Sequence, residues 1–336
     1  MSPSVRWGII GCGQVTEVKS GPAFQKARDS SLVAVMRRDR ARAEDYARRH
    51  GVPRWYDDAQ ALIDDPEVDA VYVATPPREH AAYALACARA GKPAYVEKPM
   101  ALDVAECRAM VEAFRARGLP LFVAYYRRAL PRFLRVKSLL DEGAIGAMRA
   151  VHVELRRAAN EAPGGALPWR VIPSIAGGGH FVDLGCHTLD FLDFALGPIA
   201  QARGFAVNAA GAYLAEDTVA AAFRFESGVV GSGSWCFAGS RSIDRVTMVG
   251  DRGELSFSTF GVEPIVVTRD GAVSEHAAET PSPIQQPMIQ SVVDELLGRG
   301  RASSTGETAM RTTAVIDAIL EDYRRSAALT GAPLRG

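Results

Sequence analysis

Lys98 stands between Glu97 and Pro99, and some eighty residues later the run GGGHFVDLGCHTLD, residues 177–190, sets Asp183 four positions before His187. These three side chains suit proton chemistry. A histidine ordinarily titrates near neutrality and can take or return a hydroxyl proton. A lysine supplies positive charge to steady a developing oxyanion. At a spacing of four, Asp183 and His187 share one face of the helix opened by the glycines and can converge on one pair of hydroxyls. Hydride transfer between a secondary carbinol and a nicotinamide needs such a set. Residue chemistry alone leaves blander readings open: a solvated loop lysine, and an aspartate and histidine bonded only to each other.

The cofactor half of that chemistry has its own signature. Gly11-Cys12-Gly13-Gln14-Val15-Thr16 follows an apolar run and opens a helix, the context in which a GxGxx(G/A) turn lets backbone amides approach a pyrophosphate. Gly11, Gly13, Gln14 and Val15 are therefore expected to contact a dinucleotide, although the third signature position is Thr16. About twenty residues on, where an NAD enzyme places an acid for the ribose hydroxyls, Arg37 and Arg38 stand instead. Guanidinium groups hold a 2′-phosphate bidentately. NADP(H) is the expected cofactor and NAD(H) a possible one. Asp39 remains free to face a ribose, and both arginines also fit an ordinary solvated loop.

These residues must be positioned by a chain of 336 residues, a length that suits two domains. From residue 5 to about 125, apolar runs alternate with amphipathic stretches: VRWGIIG, SLVAVM, AVYVAT, PAYVEK and LFVAYY as strands, with helices over 41–50, 80–90 and 104–117. Gly51, Gly91 and Gly118 fall where helix ends favour a left-handed residue. After a helix over 131–142, strands follow closely: MRAVHVEL, TVAAAFRF, GVVGSGSWCF, DRVTMVG, GELSFS and PIVVTRDG. One helix, over about 180–196, interrupts them, and helices over 285–297 and 309–327 close the chain. The expected fold class is α/β plus α+β. An NAD(P)-binding Rossmann domain with a parallel sheet spans 1–125, and a substrate-binding and oligomerisation domain with a mainly antiparallel open sheet spans 126–336.

The order WGIIGCG, VATPPREH, AGKPAYVEKP, YYRRALP, GGGHFVDLGCHTLD resembles the Gfo/Idh/MocA oxidoreductases, which include glucose-fructose oxidoreductase and inositol dehydrogenase. The resemblance covers nearly the whole chain. It implies that Lys98 lies beside the nicotinamide and the substrate hydroxyl, with Pro99 after a cis peptide bond, and that Asp183 and His187 complete the catalytic set. Thr75 and Pro76 match the cofactor-lining loop, with His80 and Glu97 in the same two motifs on the cofactor side. By its own chemistry His80 reads as structural. Tyr125 and Arg128 match a segment at the domain junction, and Trp169 and Arg170 a pair near the substrate. A histidine at 187, where some members carry tyrosine, is nearer the inositol and sugar dehydrogenase pattern than the glucose-fructose or dihydrodiol pattern. The implied substrate is a sugar, sugar derivative or cyclitol. Within the family the alternatives are a redox-neutral glycosidase or isomerase that uses a tightly held nicotinamide, and a dinucleotide-binding sensor.

Composition narrows the partners. Lys plus Arg equals Asp plus Glu at 39 each, so no net field attracts nucleic acid or an anionic membrane. No apolar run reaches the ~18 residues of a membrane span, and the N-terminus carries no basic stretch leading into a long apolar one. Five widely spaced cysteines in no CxxC pair are expected as reduced, mostly buried thiols in a cytoplasmic protein. No metal is expected. Weak alternation in GVVGSGSWCF and TVAAAFRF leaves one face of the second sheet insufficiently polar, which predicts a homodimer or homotetramer.

Overall fold

The computed structural model describes residues 4–158 and 167–329. The chain forms two compact units, Met1–Leu130 with Pro281–Met310, and Pro131–Thr280 with Arg311–Gly336. This differs from a division into 1–125 and 126–336. The segment 281–310 returns to the first unit, for reasons that lie in its side chains: Ser304 Oγ donates to Val123 O at 2.7 Å and Gln285 Nε2 to Glu97 Oε1 at 2.9 Å. No helix among the described residues is long and apolar enough to cross a membrane.

The first unit is built on strands β1 (Val5–Ile10), β2 (Ser30–Met36), β3 (Arg54–Tyr56), β4 (Ala70–Val73), β5 (Ala94–Val96) and β6 (Leu121–Val123), all parallel in the order β3-β2-β1-β4-β5-β6. All four side chains of β4 are buried, as a parallel strand covered on both faces requires. Aspartates start the helices between strands. Asp39, Asp58 and Asp103 accept from the backbone amides of Arg42, Ala61 and Glu106, each such cap stabilising by about 1 kcal/mol. Gly51, Gly91 and Gly118 take the left-handed conformation expected of them, at φ 64°, 74° and 63°. The edge strand β6 is covered by the returning segment, where Phe122 forms an antiparallel bridge with Thr305.

The second unit holds an eight-stranded sheet of β7 (Met148–Ala158), β8 (Ile199–Val207), β9 (Thr218–Phe225), β10 (Val230–Gly239), β11 (Ile243–Gly250), β12 (Gly253–Phe257), β13 (Ile265–Arg269) and β14 (Ala272–His276). Their order is β14-β13-β12-β11-β7-β10-β9-β8, antiparallel except for β7 beside β10. One face is apolar and carries helices. Phe181 packs on Trp235 at 4.9 Å between centroids and Phe133 on Phe191 at 4.8 Å. The other face presents small and polar residues in cross-strand rows, such as Arg203, Ala222, Ser232, His152 and Thr247. At its edge Phe205 is 82% exposed.

Candidate active site

In the first unit the strand order reverses between β1 and β4, and the crevice outside such a reversal is where open α/β sheets hold ligands. The loops leaving both strands meet there. Gly11, at φ 89°, has no room for a side chain, because a Cβ would lie 2.7 Å from Thr75 Cγ2 and 2.9 Å from Thr75 N. Gly13 is open, with nothing nearer a Cβ than 3.8 Å, so backbone can be approached from outside at that position. Thr16 is fully buried and turns its hydroxyl back to Gly13 O at 2.8 Å. The close approach usually given to a third glycine falls instead on Gly21, where a Cβ would strike Thr16 O and the Tyr46 hydroxyl. Gln14 and Val15 begin the helix Gln14–Val18.

At the end of β2 no carboxylate is offered. Arg37 is half-buried and donates from Nη1 to Cys12 O at 3.1 Å, which ties it to the glycine turn. Arg38 pairs loosely with Glu79, its own side chain 74% exposed. Asp39, which the sequence left free for a ribose, is engaged as the helix cap and pairs with Arg42 at 3.2 Å.

A brace lies under the loops that follow β4 and β5. His80 is fully buried, with Nε2 2.7 Å from Thr75 O and Nδ1 3.0 Å from Pro99 O. Enclosed in this way, His80 holds the two loops together and has no surface to offer a cofactor, so its structural reading fits better than the contact role. Burial pushes its pKa down, while the carbonyls of Thr75 and Pro99 work in the other direction. Glu97 is buried too: its Oε1 accepts from Tyr72 Oη at 2.5 Å and from Gln285, and its Oε2 from Lys98 N at 3.1 Å. This carboxylate fixes the backbone of Lys98. The Lys98-Pro99 bond is cis, and Lys98 itself is half-buried. Thr75 Oγ1 is buried without a hydrogen-bond partner among the described residues. Pro76 is half-buried on the same loop. Tyr125 and Arg128 are buried at 1% and 3% exposure, and Arg128 Nη1 donates to Ser303 O at 3.1 Å, so part of its work is to hold the returning segment.

The second unit positions Asp183 and His187. The segment Phe181–Gly185 is a π-helical turn that runs into the α-helix Cys186–Leu196, a widening often found at functional sites. Residues 183 and 187 remain about one turn apart. His187 is 4% exposed with its ring edge against Phe260, 5.9 Å between centroids. Phe260 is held by its amide, which donates to Asp244 Oδ2 at 2.6 Å. Asp183 Oδ2 lies 3.5 Å from Arg170 Nε, and the Arg170 guanidinium lies 4.5 Å from the Trp169 ring centroid. Trp169 and Arg170 are thus brought to Asp183, as the sequence order suggested. Asp190 and Asp193, on the same helix, are used in packing: Asp193 takes a two-point bond from Arg311 and Asp190 one from Thr312.

Sequence reasoning missed the clamp that fixes this helix. Glu216 is 1% exposed and its Oε1 accepts from Gly179 N at 2.8 Å, and burial lifts its pKa to about 7. Arg324 donates to Gly177 O at 2.9 Å and is itself anchored by Asp317 at 2.6 Å. The triple glycine follows from this. Only Gly177 has a positive φ, whereas a Cβ on Gly179 would lie 2.5 Å from Glu216 O, and one on Gly178 2.4 Å from Val182. The signal was present in the sequence, since two glycines in excess of what a helix start requires imply a group pressed onto the backbone.

Comparison with known proteins places this arrangement. A family profile described as "Oxidoreductase family, NAD-binding Rossmann fold" matches residues 5–125, and one described as "GFO/IDH/MocA C-terminal domain" matches residues 133–256. Oxidoreductase P35 of Formosa agariphila is 38% identical over 94% of this chain and 98% of its own. The trans-1,2-dihydrobenzene-1,2-diol dehydrogenase of Sus scrofa is 30% identical over 74% of this chain and 73% of its own. This second relative lies on the dihydrodiol side of the family, away from the side that His187 suggested. Among solved structures, an oxidoreductase from Agrobacterium radiobacter, in complex with NAD+, L-tartaric acid and magnesium, superposes with a TM-score of 0.85 at 23% identity over 96% of this chain and 97% of its own. Levoglucosan dehydrogenase in complex with NADH and levoglucosan gives 0.84 at 22%, over 96% and 98%. At those identities the likeness is one of fold. With the paired profiles and the full-length relative, the chain belongs to the Gfo/Idh/MocA family of oxidoreductases.

Proposed function

We propose that this oxidoreductase is an NADP(H)-dependent dehydrogenase or reductase, acting on a hydroxyl or carbonyl of a sugar, sugar derivative or cyclitol. The observation that carries the cofactor half is the end of β2, where Arg37 is tied to the glycine turn and Asp39 is spent as a helix cap. The residues fit a dinucleotide: the turn at Gly11 and Gly13 offers backbone to a pyrophosphate, and Arg37 and Arg38 offer cations to a 2′-phosphate. NAD(H) is the second choice. When bound, the nicotinamide supplies the hydride donor or acceptor.

The remaining work falls to the chain. His187, the residue of the set that ordinarily titrates near neutrality, takes the hydroxyl proton on oxidation and returns it on reduction. Asp183, one helical turn before it, orients the substrate hydroxyls. Lys98, its backbone fixed by Glu97, steadies the charge that develops on the reacting oxygen. Trp169, Arg170, Tyr125 and Arg128 complete the proposed substrate set, and Thr75, Pro76, Gln14 and Val15 the cofactor set. The sugar class is supported by the family resemblance and by the name of a structural neighbour of the same fold, levoglucosan dehydrogenase. The open face, with Phe205 exposed at its edge, supports assembly into a homodimer or homotetramer, and five cysteines that form no disulfide among the described residues support a cytoplasmic setting.

The experiment follows NADPH absorbance with a panel of keto-sugars and inosose, running the wild type beside Lys98→Met. Turnover that falls at least a thousandfold in the variant while NADPH still binds is the expected result. Tight NADPH binding with no turnover on any carbonyl would move the assignment to a redox-neutral enzyme or a sensor.

A further inference from the structure

We propose that a cavity in the second unit, lined by Arg157, His180, Tyr213, Phe237 and Ser242, receives the carboxylate-bearing part of an acidic sugar, so that the substrate is a uronate. This rests on the sugar reading above and adds the class of sugar. The cavity encloses about 410 Å³, within the range of about 300–1,000 Å³ usual for small-molecule sites. Leu184 also lines it, and Asp183 immediately precedes Leu184 on the same helical turn.

The charges around it decide the ligand class. Three arginines of this region could meet an anion, and two are already engaged: Arg156 pairs with Glu154 at 2.5 Å and Arg170 with Asp183 at 3.5 Å. Arg157 has no ion pair among the described residues, and its guanidinium lies 5.5 Å from the Phe260 ring centroid. The one carboxylate in the lining, Asp217, is directed to its own loop. Its Oδ1 accepts from Ala209 N and Thr218 Oγ1, both at 2.9 Å, and its Oδ2 from Ala210 N at 2.7 Å. The cavity therefore offers one cation, Arg157, that is not ion-paired among the described residues, and its one lining carboxylate has both oxygens occupied by donors of its own loop.

The other lining groups suit a pyranose. Tyr213 Oη is buried without a hydrogen-bond partner among the described residues, a vacancy that costs stability unless a ligand fills it. The rings of His180 and Phe237 lie 5.4 Å apart, and His180 meets Tyr213 edge-on at 5.8 Å, which gives an apolar wall for a sugar's C–H face. A single guanidinium matches one carboxylate in two-point geometry. A phosphate dianion would call for a second cation or a nest of amides, and the lining holds neither beyond His180.

The test compares kcat/KM for D-glucuronate and D-galacturonate with that for D-glucose, D-galactose and D-glucose 6-phosphate, with NADP+, in the wild type and in Arg157→Met and Tyr213→Phe. A uronate should lead its neutral sugar by at least tenfold, and Arg157→Met should reduce that ratio at least tenfold through KM, as loss of a charge-assisted bond predicts. The ratio is insensitive to a misfolded fraction, which lowers both substrates alike. An unchanged ratio in Arg157→Met, or a wild type that favours the phosphate, would overturn the uronate. Should the wild type turn over no sugar, the sugar reading fails first. Calorimetric titration of the NADPH-loaded protein with D-glucuronate then decides the cavity, with binding weakened in Arg157→Met upholding it and no binding overturning it.

Discussion

The two units hold their functional groups by opposite means. At the nucleotide turn the backbone is the functional group. Gly11 is pressed against Thr75, Gly13 is left open, and the requirement is written into a few neighbouring residues. At the catalytic helix the functional groups are side chains, and their aim depends on partners far along the chain: Glu216 and Arg324 grip Gly179 and Gly177 across 37 and 147 residues. A site made of backbone is local in sequence. A site made of aimed side chains is not, and its positioning residues are scattered wherever the fold can bring them.

If that contrast is right, damage to the turn should be large and confined to cofactor binding. Gly11→Val combines a left-handed φ with a branched side chain against Thr75. It should weaken NADPH and NADH binding alike by on the order of a hundredfold or more, a loss of about 2.7 kcal/mol, read by fluorescence titration. Binding within a few-fold of wild type would show that Thr75 yields and that the turn is not rigid.

Arg37→Asp probes the same region through one side chain. It should shift the NADPH to NADH affinity ratio by roughly 10–100-fold toward NADH, the value of one charge-assisted bond. A ratio that does not move removes the NADP assignment and leaves the turn argument untouched.

The smallest and most diagnostic effect is expected at Glu216, a positioning residue. Glu216→Ala should lower kcat about tenfold with NADPH affinity little changed, and Glu216→Gln, which keeps an oxygen for Gly179 N–H, should restore most of it. Loss of stability with kcat intact would reduce Glu216 to a packing role. The acid also carries a pH signature. Its folded pKa, about 7, lies above the ordinary 4.5, so the folded state holds the proton more tightly. The stability it contributes is complete below about pH 4.5 and is lost as pH rises through about 7. Across that window the wild type should fall in Tm relative to Glu216→Gln, by calorimetry.

How much of this was legible follows the same division. The strand TVAAAFRF is observed over the residues expected, Thr218–Phe225, because its β-branched and aromatic residues favour a strand and a tight turn, closed by Gly228 N donating to Phe225 O at 3.0 Å, ends it locally. The nucleotide turn and the order of motifs were legible for the same reason. The edge strands β8 and β14 were not, since Ala272–His276 is exposed almost throughout and shows no buried alternation. Glu216 was not legible as a positioning residue, because nothing in its neighbourhood of sequence reports that it is buried against Gly178 and Gly179. Asp39 shows the reverse failure. A carboxylate in the right place for a ribose was already committed to the amide of Arg42.

The returning segment 281–310 bears on how the molecule is made. Glu97, Val123 and Arg128 each take a bond from Gln285, Ser304 or Ser303 or give one to them, and the open edge of β6 is closed by Ser304 and Thr305. Domains are generally completed from the N-terminus as a ribosome extends the chain. Here the nucleotide unit, although it begins at the first strand, lacks its last pieces until more than three hundred residues have been synthesised. Throughout translation it presents an uncapped strand edge and a buried carboxylate short of one donor, and the finished Rossmann unit is a late event in the life of the nascent chain.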